Sequence, residues 1–225
     1  SYEEENYNTS VYQGTMFAAD LCVAADQVDL AGFEPDTDLH AAGLFDLEAG
    51  SVLCGYKLYD RLYPASTTKI MTALVALKYG NLDDEVTVSA NATDFNWDEV
   101  TSGLRTGDKV TMYDLRCGLL LHSGNDCGTA IAEHIAGSEE AFADMMNEEA
   151  AALGATGTHF VNPHGLHDEN HYTTAYDLYL IFNECIKDER FVEIISMESY
   201  DGTLTGADGT VLKETWTPTQ AYGAG

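Results

Sequence analysis

The feature that most constrains the fold is an apolar run, residues 70–77, directly after Ser66-Thr67-Thr68-Lys69. Its large side chains would cover most of a helix surface rather than one stripe: Ile70, Met71, Leu74, Val75 and Leu77. A helix that is apolar nearly all round lies buried inside a domain, and Gly80 is a natural stop. With 225 residues, 45% of them hydrophobic, the chain can bury such a helix in a core.

The charge of the chain excludes one group of partners. There are 38 acidic and 10 basic residues, which give a formal net charge of −28 at pH 7. A polyanion of this size is repelled by DNA, RNA and anionic lipid surfaces. We therefore expect no nucleic-acid partner.

The pattern along the chain predicts two strand pairs around a helical block. Segments 40–47 and 51–59 are typical of one hairpin, segments 198–204 and 210–217 of another, and residues 85–88 of a short strand. After the central helix, four more are expected, beginning at Thr111, about 126, Ser138 and Thr174. The first ends before Ser123, the second near 136 and the third at Gly154, while Asp114 and Asp177 are capping-box partners. We predict an α+β fold, with a helical subdomain at about 81–195 inserted between sheet strands.

The serine and lysine before the apolar run carry candidate chemistry. Ser66 and Lys69 are three residues apart, so on a helix they share one face and the amine can reach the hydroxyl. A helix N-terminus presents free N–H groups and partial positive charge, which favours an alkoxide and disfavours an ammonium group. Burial also lowers the pKa of a lysine, which can then act as a general base. An isolated S-x-x-K is nevertheless short and common, and most often marks an ordinary capped helix.

A second element, Ser123-Gly124-Asn125, falls where a predicted helix ends, which would expose both polar side chains on a loop. A hydroxyl at Ser123 could pass a proton between Lys69 and a leaving nitrogen, and the Asn125 amide could hold a substrate carbonyl. Alone, this pattern would usually be a helix cap. The two elements in this order are more specific than either.

With these elements the chain resembles the low-molecular-mass penicillin-binding proteins, the serine-type D-alanyl-D-alanine carboxypeptidases. The resemblance covers roughly residues 40–220 and rests on four stretches: YPASTTK at 63–69, SGND at 123–126, THFVNPHGL at 158–166 and HYTTAYD at 171–177. It implies a fold like that of β-lactamases and DD-peptidases. It also implies peptidoglycan peptides ending in D-Ala-D-Ala as substrates, β-lactam antibiotics as acylating mimics, and no cofactor or metal.

The resemblance also implies a role for each site residue. Ser66 attacks the carbonyl of the penultimate D-alanine and forms an acyl-enzyme, and Lys69 accepts its proton. Ser123 relays a proton to the departing amine, Asn125 orients the substrate amide, and the backbone N–H of Ser66 forms half of the oxyanion hole. Water then releases the shortened peptide. Such a substrate implies an extracytoplasmic location, secreted or at the cell surface.

The chain departs from this family in one motif. The family has a K-T-G strand lining the site, and this sequence has no such triplet; Thr205-Gly206 is not preceded by a lysine. We expect that the catalytic domain, residues 15–225 after a flexible leader at 1–14, is cut off before this strand. A second chain or a missing segment would then supply it and cover the open sheet edge.

Three alternatives stay open. A catalytically silent peptidoglycan-binding or scaffold homologue would keep the fold without the reaction. A class A-like β-lactamase would share Ser66, Lys69 and Ser123 but needs a glutamate for deacylation, and the stretch at 160–165, FVNPHG, has none in the expected setting. A metal site could use the histidines His159, His164, His167 and His171, whose role the resemblance implies is structural. The five cysteines lack a C-x-x-C pair and are expected to be buried core residues.

Overall fold

The computed structural model describes residues 21–31 and 38–219. The helices are α1 (Thr68–Tyr79), α2 (Met112–Leu121), α3 (Asn125–Ala136), α4 (Glu139–Ala152), α5 (Ala175–Cys185) and α6 (Glu189–Ile195). The strands are β1 (Ala42–Asp46), β2 (Ser51–Tyr56), β3 (Glu85–Thr87), β4 (Lys109–Thr111), β5 (Tyr200–Thr205) and β6 (Val211–Trp216). Helices combined with antiparallel strands confirm the predicted α+β class. The predicted leader at 1–14 lies outside the described residues.

The central helix is α1, as its apolar run predicts. Ten of its twelve residues are buried, and it packs against α2, α3, α4 and α5. Two of the ten are lysines, Lys69 near its N-terminus and Lys78 near its C-terminus. The apolar surround explains both the burial of the helix and the unusual environment of its two charged side chains.

The strands form two antiparallel sheets. β1 and β2 make the predicted hairpin, with a register shift between Leu44 and Phe45. The second sheet has the order β3-β4-β5-β6, in which β4 meets β5 through the single pair Lys109–Thr205. The hairpin of β5 and β6 therefore lies in one sheet with β3 and β4, two strands that occur within the helical block in sequence order.

The predicted helix starts are confirmed by their caps. Thr111, Ser138 and Thr174 each accept a hydrogen bond from the backbone N–H three residues on, at Asp114, Ala141 and Asp177. Two elements, β4 and α6, were not predicted. Both are short, and β4 runs directly into the cap residue of α2, so its strand pattern cannot be separated from the helix start.

No helix in the described part of the chain has the length and apolar character that a membrane crossing requires. All five cysteines are buried free thiols, as expected.

Candidate active site

The serine of the S-x-x-K element lies in a 3-10 turn, Ala65–Thr67, immediately before α1. Ser66 is exposed and Lys69 is buried, with 3% of its surface accessible. The Lys69 Nζ lies 3.2 Å from the Ser66 Oγ. The hydroxyl and the amine therefore lie together as predicted, but the serine belongs to the 3-10 turn that precedes the regular helix.

Two further oxygen atoms hold the Lys69 amine. Its Nζ lies 2.8 Å from the Asn125 Oδ1 and 2.9 Å from the backbone carbonyl oxygen of His164. All three partners of the amine, including the Ser66 hydroxyl, are uncharged. The lysine thus has good hydrogen bonds but no carboxylate within bonding distance in the described residues.

This environment changes the acidity of Lys69. Burial lowers its pKa from 10.5 to about 8, against the opposing effects of the Cys127 thiol and the Asp126 carboxylate. About a tenth of the side chain is then neutral at pH 7, compared with less than a thousandth for an ordinary lysine. The cause matches the prediction from burial of the helix.

The second motif lies at the start of α3. Asn125 is its first residue, Gly124 is its N-cap, and Ser123 has a positive φ of 59°. The Asn125 backbone N–H donates to the Val100 carbonyl at 2.9 Å, which ties the motif to the neighbouring loop. The Ser123 side chain is half-buried, and within residues 21–31 and 38–219 its hydroxyl makes no hydrogen bond.

The next residue, Asp126, fixes the loop behind the motif. Its carboxylate accepts the backbone N–H groups of Ser102 and Leu104 at 2.8–3.0 Å. Burial raises the pKa of Asp126 above its ordinary value, against these hydrogen bonds. These charge-assisted hydrogen bonds therefore join the loop at 100–104 to the start of α3, where Asn125 lies.

The sequence did not reveal that a third segment also provides a hydrogen-bond partner for the Lys69 amine. The His164 carbonyl oxygen accepts a hydrogen bond from the Lys69 amine. It belongs to a tight turn in which the Asn162 Oδ1 accepts the Gly165 backbone N–H at 2.7 Å. Gly165 has a φ of +92°, and a Cβ there would overlap the carbonyl oxygen of Ala65. A glycine is thus required where this turn meets the serine turn. The Asn-Pro-His-Gly sequence signals such a turn, but not its target.

The histidines proposed as an alternative metal site have other partners. His164 Nε2 lies 3.5 Å from Glu139 Oε1, His171 Nε2 lies 2.7 Å from Thr68 Oγ1, and the His159 and His167 rings contact Tyr172 and Tyr63. No group of three or more potential metal ligands is found within the described ranges. These contacts are those of residues that hold loops together.

Comparison with known proteins gives the family of this chain. Residues 30–215 match the family described as D-alanyl-D-alanine carboxypeptidase. D-alanyl-D-alanine carboxypeptidase DacF of Bacillus subtilis is 39% identical over 154 residues, which are 66% of this chain and 39% of that protein. DacC of Escherichia coli is 37% identical over 191 residues, 79% of this chain and 44% of that protein. The chain thus spans less than half the length of these relatives.

Solved structures agree in fold. A DD-transpeptidase of Streptomyces superposes with a TM-score of 0.79 at 28% identity, over 84% of this chain and 76% of that one. A D-alanyl-D-alanine carboxypeptidase of Mycobacterium tuberculosis gives a TM-score of 0.75 at 31% identity, over 86% and 72% of the two chains. The fold is therefore that of the penicillin-binding DD-peptidases. Within that class, the chain belongs to the D-alanyl-D-alanine carboxypeptidase family.

Proposed function

We propose that the protein is a serine-type D-alanyl-D-alanine carboxypeptidase that uses Ser66 as nucleophile and Lys69 as its general base. The observation that carries this proposal is the set of uncharged partners around the buried Lys69 amine. The family and the names of the relatives support the same reaction.

The geometry explains how the lysine would take the serine proton. A protonated lysine has three N–H donors and no acceptor, and three oxygen atoms receive them here. A neutral amine has two N–H groups and one lone pair. The Asn125 Oδ1 and the His164 carbonyl can only accept, so they take the two N–H groups. The lone pair then faces the Ser66 hydroxyl, which is the one partner that can donate a proton.

The remaining parts of the site have proposed roles from the same chemistry. The backbone N–H of Ser66 makes no hydrogen bond to another backbone group in the described part of the chain, and it would be one oxyanion donor. Asn125 would orient the substrate amide, and the half-buried Ser123 would return a proton to the departing D-alanine amine. Water would then attack the acyl-enzyme and release the shortened peptide.

Several wider features belong to this proposal. The substrates are peptidoglycan peptides that end in D-Ala-D-Ala, and β-lactams acylate Ser66 as mimics. The protein acts outside the cytoplasmic membrane, where such peptides lie. Residues 15–225 form part of a catalytic domain whose helical subdomain spans about 81–195. The sequence has no K-T-G triplet, so the proposed roles rest on the first two motifs.

The test is mass spectrometry of the full protein after treatment with benzylpenicillin. We expect a covalent adduct on the peptide that contains Ser66, and none in Ser66→Ala. An adduct on a different residue, or none in a correctly folded protein, would contradict the proposal. Release of D-alanine from a D-Ala-D-Ala peptide, measured in parallel, separates a peptidase from a silent binding protein.

A further inference from the structure

One segment of the chain contacts the turn that carries the nucleophile at several points. We define the nucleophile turn as residues 62–69 and the clamp segment as residues 161–173. Apart from the bond of Lys69 to the His164 carbonyl, four contacts join them: the paired backbone bonds of Leu62 and Thr173 at 2.8 and 2.9 Å, the edge contact of the Tyr63 and His167 rings, the close approach of Gly165 to Ala65, and the 2.7 Å bond between His171 and Thr68.

The nucleophile turn needs such a support. Ala65, the residue before the nucleophile, has a φ of +47°, in the left-handed region that a Cβ disfavours. The cap of α1, Thr67, makes no side-chain cap bond to the helix; its hydroxyl donates to the Pro64 carbonyl instead. A conformation of this kind persists only where surrounding contacts impose it.

His171 supplies the contact nearest to both reacting groups. Its partner Thr68 lies between Ser66 and Lys69 in the chain, and both His171 and Thr68 are fully or almost fully buried. The His171 Nδ1 accepts the Val161 backbone N–H at 3.0 Å, so the ring proton must lie on Nε2. The Nε2–H therefore donates to the Thr68 Oγ1. Burial, with a smaller effect of His164, lowers the pKa of His171 to about 4 and keeps this neutral form at physiological pH.

We propose that His171 is a positioning residue, which by donating to Thr68 fixes the Ser66 hydroxyl against the Lys69 amine. The inference rests on the proposed function of Ser66, and it assigns to this histidine a role beyond the structural one of holding a loop. A misplacement of reacting groups by about 1 Å can slow a reaction about 100-fold. Loss of this one bond should therefore affect the acylation rate more than loss of a similar bond elsewhere on α1.

The chain offers a matched control for this test. Thr72, one turn further along α1, is also fully buried and also makes one side-chain bond to the clamp segment. Thr68→Val and Thr72→Val each remove one hydroxyl with almost no change in shape, and each leaves one buried polar group without its partner. Stability should fall by similar amounts in both variants.

The experiment measures the acylation rate with a fluorescent penicillin under conditions in which every variant is folded. We expect at least a tenfold slower acylation in Thr68→Val, recovery to within about threefold in Thr68→Ser, and less than a twofold change in Thr72→Val. Equal losses in Thr68→Val and Thr72→Val would show a merely structural role and overturn the proposal, as would an unchanged rate in Thr68→Val.

A second measurement does not depend on activity. Nitrogen NMR of the ¹⁵N-histidine-labelled protein should show the His171 ring protonated on Nε2 and not on Nδ1 at neutral pH, with the assignment made from a His171→Gln variant. A ring protonated on Nδ1 would overturn the proposed clamp even if Ser66 is the nucleophile. Conversely, the expected tautomer in a protein that no penicillin acylates would leave the clamp geometry intact and count against the proposed function.

Discussion

The two buried lysines of α1 are almost equally inaccessible, yet their surroundings differ. Lys69 is 3% exposed and Lys78 is 4% exposed. Lys69 meets a hydroxyl, an amide oxygen and a backbone carbonyl, whereas Lys78 forms an ion pair with the buried carboxylate of Glu149. Both lysine side chains are buried because the helix that carries them is enclosed by apolar residues.

The difference shows that burial alone does not make a lysine into a base. Desolvation opposes the charge of any buried ammonium group, but a carboxylate at bonding distance compensates for it. Where the partners are neutral oxygens, as at Lys69, desolvation dominates and the pKa falls to about 8. We therefore assign the chemical role to the N-terminal lysine and a structural role to the C-terminal one.

The largest expected effect is the loss of acylation in Lys69→Met. Removing a general base slows such a reaction by about 100- to 10,000-fold, and the variant should still unfold cooperatively. The measurement is the rate of covalent labelling of Ser66 by a fluorescent penicillin. A rate within tenfold of the original protein would show that another group takes the serine proton.

Lys78→Met should produce the opposite result. It leaves the Glu149 carboxylate buried without its lysine, and breaking a buried ion pair costs about 3–5 kcal/mol. Acylation of the folded fraction should not change. The matched control is the double variant Lys78→Met with Glu149→Leu, in which most of the loss in unfolding free energy is recovered. Urea unfolding that finds the single variant as stable as the original protein would contradict the assigned role.

The pH dependence of stability offers a smaller effect. The native pKa of Lys69, about 8, lies below the ordinary value of 10.5 expected in the unfolded chain. Between these values the unfolded chain binds one more proton, so this group makes stability rise with pH, and the gain is lost as pH falls through 8. The contribution reaches about 3 kcal/mol. Urea unfolding of the original protein and of Lys69→Met across this window should differ in slope; parallel curves would contradict the lowered pKa.

The smallest expected effect is the loss of stability when a helix cap far from both lysines is removed. Thr111→Ala removes the side-chain cap of α2, in which the Thr111 hydroxyl accepts the Asp114 backbone N–H at 3.1 Å. A cap of this kind contributes about 1 kcal/mol. Chemical unfolding should show that loss, with full recovery in Thr111→Ser. A loss comparable to that of Lys78→Met would mean that the buried ion pair has no special weight.

Local chemistry explains which parts of the fold the sequence could predict. The caps at Thr111, Ser138 and Thr174 involve residues only three positions apart, so the residue types reveal them. The pairing of β4 with β5 joins residues 109 and 205. No local pattern specifies a contact of that range, and the short strand β4 lacks a pattern of its own.

The same distinction holds at the site. Ser66 and Lys69 could be predicted because one helical turn brings them together, and Asn125 because its motif accompanies theirs in a known family. The third hydrogen-bond partner of the Lys69 amine is a backbone carbonyl 95 residues away along the chain. Every residue type has such an atom, so no side-chain pattern marks it, although Gly165 marks the tight turn beside it.

The most direct test of the account is the pKa of Lys69 itself. NMR of ¹³C-lysine-labelled protein, with the Cε signal assigned from Lys69→Met, measures this pKa without substrate. We predict a midpoint near 8 and a clearly higher midpoint in Asn125→Asp, since a carboxylate then replaces a neutral oxygen beside the amine. A midpoint at the ordinary value of 10.5, or one that Asn125→Asp leaves unchanged, would contradict the claim that neutral partners make this lysine a base.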